Sequence, residues 1–221
     1  IIESAFDPFA YSHGRASGLW QFIPATGRLY GLQIDWWFDA RRDIRASTQA
    51  AIRYLKRLNK LFDGDWLLAI AAYNAGEGNI LKSIRRSGID RKQVEFWQLK
   101  VLSETSSYVP RLLAISEVVS NPSEYGITLP DIPDEPYWGV VDTSRQIDLN
   151  TAARLAEISQ ETLYSLNPGF NQWATDPSGP HYLLLPIGVS DRFITQLESL
   201  NQNDLVRWDR YKIRRGDNLY I

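Results

Sequence analysis

A run of six apolar residues, Leu67 to Ala72, constrains the fold of this chain more than any other feature. Asp65 is a plausible N-cap for a helix that begins at Trp66 and continues to Tyr73. Because such a helix is apolar on every side, we expect other elements to surround it. The run therefore predicts a helix in the middle of a domain.

Two longer helices are predicted around this central one. From Ala46 to Phe62, the apolar residues Ala51, Ile52, Leu55, Leu58 and Phe62 recur at intervals of three and four, and Gly64 then ends the pattern. A further helix from about Ser103 to Val119 is apolar in its second half, and Asn121-Pro122 terminates it. The first 126 residues are therefore predicted to be mainly helical.

Three prolines, Pro130, Pro133 and Pro136, fall within seven residues and favour an extended, semi-rigid spacer. Beyond it the pattern predicts strand, helix, helix and strand, at Tyr137–Asp142, Asn150–Ala156, Gln160–Leu166 and Tyr182–Leu185. We therefore expect a mainly α domain at 1–126, a linker at 127–136, a small α+β domain at 137–205 and the start of another module at 206–221.

Composition excludes several classes of function. The net charge is -2, with 24 basic and 26 acidic residues along the chain, so no basic face is available for nucleic acid. No stretch approaches the ~20 apolar residues that a membrane helix needs. There is no cysteine, and only His13 and His181 could supply imidazole ligands, so we predict neither a metal nor a cofactor.

Four short motifs occur in order along the helical part: Glu-Ser-Ala-Phe-Asp-Pro (3–8), Gly-Leu-Trp-Gln (18–21), Ala-Ala-Tyr-Asn-Ala-Gly (71–76) and Glu-Thr-Ser-Ser-Tyr (104–108). Ser12 follows the first glutamate, Glu3, by nine residues. In this order and spacing the motifs resemble the catalytic domain of lytic transglycosylases, which cut the glycan strands of bacterial peptidoglycan with one glutamic acid. The resemblance spans roughly the first 126 residues and implies a lysozyme-like SLT fold.

Glu3 is the predicted catalytic acid. A carboxylic acid can protonate a glycosidic oxygen near neutral pH only if an apolar setting raises its pKa, and Glu3 has five apolar neighbours in sequence, Ile1, Ile2, Phe6, Leu19 and Trp20. The resemblance implies that Glu3 acts without a second carboxylate. It also implies that the substrate's acetamido group stabilises the developing charge, and that the C6 hydroxyl of the same muramic acid closes a 1,6-anhydro ring.

The resemblance implies that Ser12 and Gln21 contact the reacting sugar, and that Tyr73 and Asn74 line the same cleft. The residues themselves leave other roles open. Ser12 and Gln21 could be turn or cap residues, and Asn74 could simply end its helix before Gly76. Tyr73 is expected to pack in the core and also to line the cleft.

The resemblance also implies that Glu104 and Tyr108, on the later helix, complete the cleft. Glu104 could equally be a capping residue, because a carboxylate at a helix start opposes the positive end of the dipole. His13 is expected to be a surface loop residue.

The strand, helix, helix, strand order is similar to a LysM module, a type of domain that binds the N-acetylglucosamine-containing backbone of peptidoglycan and chitin. This copy is degenerate, because Gly169 to Pro180 looks inserted and the usual Gly-Asp-Thr-Leu is missing, so its sugar binding stays open. Tyr211 to Leu219 fits the start of a regular LysM module better.

The resemblance therefore implies a peptidoglycan lytic transglycosylase in the bacterial cell envelope, periplasmic and attached to the outer membrane, and we expect it to be a monomer. The alternatives are a goose-type lysozyme-like hydrolase that uses water, and an inert peptidoglycan-binding scaffold. Ile1-Ile2 reads as the end of an apolar helix that begins upstream, so we expect a truncated catalytic domain with Glu3 on a helix.

Overall fold

The computed structural model describes residues 1–200 and residue 206. The chain divides into two units, Ile1–Glu135 and Pro136–Ile221. The module that the sequence predicts at 206–221 lies, except for Val206, outside the described residues. No helix among those residues is long and apolar enough to cross a membrane.

The first unit is mainly helical, as the sequence predicts. Two short 3-10 turns, Phe96–Gln98 and Pro122–Tyr125, accompany five helices: α1 (Pro24–Leu29), α2 (Ile44–Leu61), α3 (Trp66–Ala75), α4 (Glu77–Ser87) and α5 (Ser103–Ser120). Helices α1 and α4 were not predicted. Helix α1 has only six residues, and α4 follows α3 after the single residue Gly76.

Helix α3 lies at the centre of this unit and packs against α2, α4 and α5. Its first turn is capped by Asp65, whose Oδ1 accepts the Leu68 backbone N–H at 2.9 Å. Leu68, Ala69, Ala71 and Ala72 are buried. The prediction of a central, all-apolar helix is therefore confirmed.

The buried face of α2 is narrower than the sequence predicts. Ala51 and Leu58 are fully buried, whereas Ile52 is 46% exposed. The buried stripe of α2 follows Ser47, Ala51, Tyr54 and Leu58 at helical spacing, and Ile52 lies one position further round the helix.

Helix α5 buries few of its own residues. Thr105 and Val109 are its buried positions, whereas Leu113 and Val119 are exposed. Leu112 in its second half lines an apolar cavity instead of a packed core.

Glu3 does not lie on a helix among the described residues, contrary to the prediction. Residues 1–6 form turns, in which the Ala5 N–H bonds to the Ile1 carbonyl at 2.7 Å. Ala5 and Phe6 have φ values of 50° and 64°, which lie in the left-handed region and end any helical turn.

Among its described residues, the second unit has the predicted order of strand, two helices and strand, followed by a 3-10 turn (Ile187–Val189) and a helix that were not predicted. Its elements are β1 (Trp138–Asp142), α6 (Leu149–Ala156), α7 (Gln160–Leu166), β2 (Tyr182–Pro186) and α8 (Ser190–Ser199). Strands β1 and β2 pair antiparallel, with Val140 opposite Leu184.

The residues that look inserted, 169–180, are part of the second unit's core. Ala174 pairs with Asp148, and the Thr175 N–H donates to the Ile147 carbonyl at 3.0 Å. Ala174 and Thr175 have no exposed surface. The insertion therefore packs beside the start of α6.

Candidate active site

Two cavities of the first unit meet at Glu3. One, of about 620 Å³, is apolar, and Leu19, Trp20, Leu55 and Ile70 line it together with Glu3. The other, of about 710 Å³, is polar, and Glu3, Tyr73 and Tyr108 belong to the walls of both. Glu3 thus has an apolar environment on one side and space for a polar ligand on the other.

The Glu3 carboxyl is held by a tyrosine of α5. The Tyr108 hydroxyl donates a hydrogen bond to Glu3 Oε1 at 2.5 Å. Burial raises the pKa of Glu3 above its ordinary value of 4.5, the Tyr108 hydrogen bond and the positive charge of the amino terminus at Ile1 oppose this rise, and the charge of Glu104 adds to it. The net result is a carboxyl group that keeps its proton to a higher pH than an exposed glutamate.

The apolar neighbours that the sequence singles out line a cavity together with Glu3. Ile1, Ile2, Phe6, Leu19 and Trp20 all line the apolar cavity with Glu3. The turn that carries Glu3 is tied to the next loop, because the Ser4 hydroxyl donates to the Leu19 carbonyl at 3.0 Å.

A loop from Ala10 to Phe22 brings Ser12 and Gln21 to the polar cavity. Ser12 Oγ accepts the Ala16 N–H at 3.0 Å, which is the turn role that the sequence allows. Gln21 Nε2 donates to the carbonyls of Ala10, at 3.2 Å, and Gly18, at 2.8 Å. Both side chains therefore shape the loop and also line the cavity.

Arg41, which sequence reasoning missed, binds the backbone of this loop. Its guanidinium forms two contacts with Asp39, at 2.9 and 2.7 Å, and donates to the carbonyls of Arg15 at 2.6 Å and Phe22 at 3.0 Å. Gly18 lies against the Arg41 backbone, where an added Cβ would come within 2.0 Å of the Arg41 carbonyl oxygen. The one sequence signal for this pair is that Asp39 and Arg41, which have opposite charges, are two residues apart.

Tyr73 and Asn74, at the end of α3, connect three segments of the site. The Tyr73 hydroxyl donates to the Trp20 carbonyl at 2.8 Å. Asn74 Oδ1 accepts the Thr105 hydroxyl at 2.8 Å, and its Nδ2 contacts Glu104 Oε1 at 3.4 Å. Asn74 therefore joins α3 to α5, a role that an ordinary helix end does not need.

Glu104 lies in the first turn of α5, where a carboxylate opposes the positive end of the helix dipole, and it also lines the polar cavity. His13 is exposed, as predicted, and lines the same cavity. Arg111, one turn beyond Tyr108, completes the wall and was not predicted.

The buried tyrosines keep their protons. Burial, followed by the charge of Glu3, raises the pKa of both Tyr73 and Tyr108. Tyr108 is therefore a permanent hydrogen-bond donor to Glu3 at ordinary pH. Within the described part of the chain, no group of three or more His, Asp or Glu side chains is placed to hold a metal ion.

This arrangement suits general acid and base chemistry on one face of a ligand. A buried carboxyl group with a raised pKa can deliver a proton into the polar cavity and then take one back. The hydrogen bond from Tyr108 fixes the orientation of that carboxyl group.

A mainly helical unit with one buried glutamic acid at a polar cavity defines a lysozyme-like catalytic domain. Residues 1–96 match the family described as the transglycosylase SLT domain, and residues 138–202 match the lytic transglycosylase MltD LysM-like domain. The chain belongs to the lytic transglycosylases, and within them it carries the SLT and MltD-type LysM-like pair of domains. The predicted family and fold class are confirmed.

Named relatives agree with this membership. The membrane-bound lytic murein transglycosylases D of Escherichia coli K12 and of Escherichia coli O6:H1 are each 40% identical over 99% of this chain. The peptidoglycan transglycosylase gp16 of Escherichia phage T7 is 40% identical over 35% of this chain and 6% of its own length. The chain spans about half the length, 51%, of the two Escherichia coli relatives.

Proposed function

We propose that this protein is a peptidoglycan lytic transglycosylase. It cleaves the β-1,4 bond between N-acetylmuramic acid and N-acetylglucosamine without water and leaves a 1,6-anhydro-N-acetylmuramic acid end. The observation that carries the proposal is the partly buried Glu3 carboxyl group, whose pKa is raised and which Tyr108 holds at a polar cavity. Family membership supports the same reaction.

In the first step, Glu3 is the acid. Because Tyr108 donates to Oε1, the carboxyl proton resides on Oε2 and is free to reach the glycosidic oxygen. The bond from C1 to that oxygen breaks, its electron pair stays on the departing N-acetylglucosamine, and Glu3 becomes a carboxylate. The substrate's acetamido oxygen stabilises the positive charge at C1.

In the second step, Glu3 is the base. Its carboxylate removes the proton of the C6 hydroxyl while O6 bonds to C1, so the ring closes and the acid is regenerated. No water is consumed. The nucleophile belongs to the same sugar, and such intramolecular attack can reach effective molarities of ~10⁵ M or more.

The remaining predicted residues bind the sugar. The side-chain amide of Gln21 donates its N–H groups to two carbonyls of the loop backbone. Its side-chain oxygen is therefore left to accept a hydrogen bond from an N–H or O–H group of the ligand. Asn74 Oδ1 is occupied by Thr105, so its amide is the donor toward the cavity. Ser12, Tyr73 and Glu104 complete the polar wall.

The proposal assigns residues 1–126 to catalysis, 127–136 to the linker, 137–205 to a degenerate LysM-like domain and 206–221 to the start of another LysM module. It places a monomeric protein in the cell envelope, in the periplasm and attached to the outer membrane. Relatives named membrane-bound support this location.

The test is mass spectrometry of the soluble products from purified peptidoglycan, with Glu3→Gln as the matched variant. We expect muropeptides one water lighter than hydrolytic products from the wild type, and none from Glu3→Gln, because an amide cannot donate and recover the proton. Glu3→Gln should still bind the glycan.

Ordinary reducing ends would reassign the protein as a hydrolase on the same scaffold. Glycan binding without release of products would favour an inert scaffold. If Glu3→Gln cleaved at the wild-type rate, the assignment of Glu3 would be wrong.

A further inference from the structure

Arg111 is a cation without a protein partner at the wall of the polar cavity. Among the described residues that line this cavity, it is the single lysine or arginine, and its side chain is exposed. Four other arginines, Arg41, Arg57, Arg91 and Arg192, form ion pairs. Arg111 forms neither an ion pair nor a side-chain hydrogen bond with any residue in the described part of the chain.

The position of Arg111 along α5 places it beside the reaction centre. Glu104, Tyr108 and Arg111 are spaced by four and three residues, so they share one face of the helix. At 1.5 Å per residue, Glu104 lies about 6 Å before Tyr108 along the helix axis, and Arg111 lies about 4.5 Å after it. All three line the polar cavity.

The cavity is therefore anionic at one end of the α5 face and cationic at the other, with the Glu3 and Tyr108 pair between them. Glu104 does not neutralise Arg111, since about 10.5 Å of helix axis separates the two residues. The Glu104 carboxylate contacts Asn74 instead. The positive charge of Arg111 is thus available to a ligand that reaches past Glu3.

We infer that Arg111 recognises a carboxylate carried by the muramyl residue of the substrate, an inference that rests on the proposed function. The planar guanidinium matches a carboxylate through two parallel hydrogen bonds. The lactyl group is the part of the glycan backbone that can carry negative charge. It is a free acid in strands stripped of peptide, and in intact peptidoglycan it is amide-linked to a stem peptide with carboxylates of its own.

The experiment compares the wild-type protein, Arg111→Gln and Arg111→Lys on three probes. These are intact sacculi, glycan strands stripped of peptide by an amidase, and chitohexaose, a neutral N-acetylglucosamine oligomer used as an inhibitor. Arg86→Gln is the control, because Arg86 is an exposed arginine of α4 outside the cavity wall.

We expect Arg111→Gln to raise the KM for a muramyl substrate about tenfold, with kcat little changed, because one charge-assisted contact is lost in binding. Arg111→Lys should recover part of the affinity, because it keeps the charge and loses the planar fork. The inhibition constant of chitohexaose should be the same in all variants, and Arg86→Gln should behave as the wild type.

The substrate on which Arg111→Gln raises the KM identifies the source of the carboxylate. A rise in KM on stripped strands alone identifies the lactyl carboxylate, and a rise on intact sacculi alone identifies a stem-peptide carboxylate. Either result supports the inference, as does a rise on both.

An unchanged KM on both substrates would overturn the inference, and so would an equal loss of chitohexaose affinity, which would indicate a deformed cleft. Failure of the proposed function itself is distinguishable, since the wild-type protein would then release no anhydro products. In that case, binding of stripped strands to the Glu3→Gln and Glu3→Gln/Arg111→Gln proteins decides whether Arg111 holds the carboxylate.

Discussion

At the scale of single residues, the site depends on opposing influences on one carboxyl group. Burial raises the pKa of Glu3, while the hydrogen bond from Tyr108 stabilises the charged form and limits that rise. The proposed reaction needs both forms in one cycle, the acid to protonate the leaving oxygen and the carboxylate to deprotonate O6. A carboxyl group that is partly buried and also accepts a hydrogen bond can supply both the acid and the carboxylate form.

Tyr108→Phe should therefore shift the pH profile in a defined direction. Glu3 must be protonated in the free enzyme, so kcat/KM falls as the pH rises through its folded-state pKa, which lies above 4.5. Removing the hydrogen bond from Tyr108 raises this pKa further, so the alkaline limb moves to higher pH. The maximal kcat should drop about tenfold or more, because the carboxyl group loses its orientation.

The measurement is kcat/KM against pH on soluble glycan strands, with Tyr30→Phe as the control. The Tyr30 hydroxyl accepts a hydrogen bond from Arg57 and is absent from the cavity wall. An alkaline limb that stays in place, or moves to lower pH, in Tyr108→Phe would contradict the role given to this hydrogen bond.

At the scale of elements, the sequence predicts the two longest helices, the central α3 and both strands, but it misses α1, α4, α8 and the contacts of the loop. Asp65 and the apolar run after it determine α3 locally, because capping and periodicity are properties of neighbouring residues. The pairing of Arg41 with the carbonyls of Arg15 and Phe22 is long-range and follows no periodicity. Sequence reasoning could therefore name Ser12 and Gln21 by motif and could not find the arginine that positions their loop.

The exposed apolar residues of α5 show a second limit. Apolar spacing predicts which residues could be buried, while burial itself depends on what packs against the helix. Leu112 and Ile115 line a cavity, and Leu113 is 40% exposed. Arg111, a polar residue inside this apolar stretch, carried no pattern that could have assigned it to the site.

The Arg41 and Asp39 pair provides the test at this scale. Both side chains are nearly buried, at 5% and 12% exposure. Arg41→Met leaves the nearly buried Asp39 carboxylate without its guanidinium partner, so the free energy of unfolding should fall by about 3–5 kcal/mol. Arg41→Met with Asp39→Leu removes both charges and should recover much of that stability, because an apolar pair can replace a buried ion pair.

Activity should not recover in the double variant. The carbonyls of Arg15 and Phe22 still lack their donor, so the loop that carries Ser12 and Gln21 stays loosened. Urea unfolding and kcat/KM on stripped glycan strands are measured together. A double variant that regains wild-type activity along with its stability would show that Arg41 supports the fold and has no positioning role.

At the scale of the whole molecule, every residue proposed for the reaction lies between Glu3 and Arg111, within the first unit. The second unit has a core of its own, in which Leu183, Leu184 and Leu185 of β2 are fully buried. The change of composition at the prolines is the reason that the sequence predicts two domains. Catalysis and the LysM-like fold are therefore expected to depend on separate cores.

Two matched core substitutions test this separation. Leu58 in α2 and Leu184 in β2 are both fully buried, and replacing either with alanine should cost about 2–5 kcal/mol in its own unit. Leu184→Ala should lower one thermal unfolding transition and leave the cleavage rate of a short soluble glycan within about twofold of the wild type, since each unit has a core of its own. Leu58→Ala should lower the other transition and inactivate the enzyme at a lower temperature. Loss of short-glycan cleavage in Leu184→Ala at a temperature where the first unit stays folded would mean that catalysis requires the second unit.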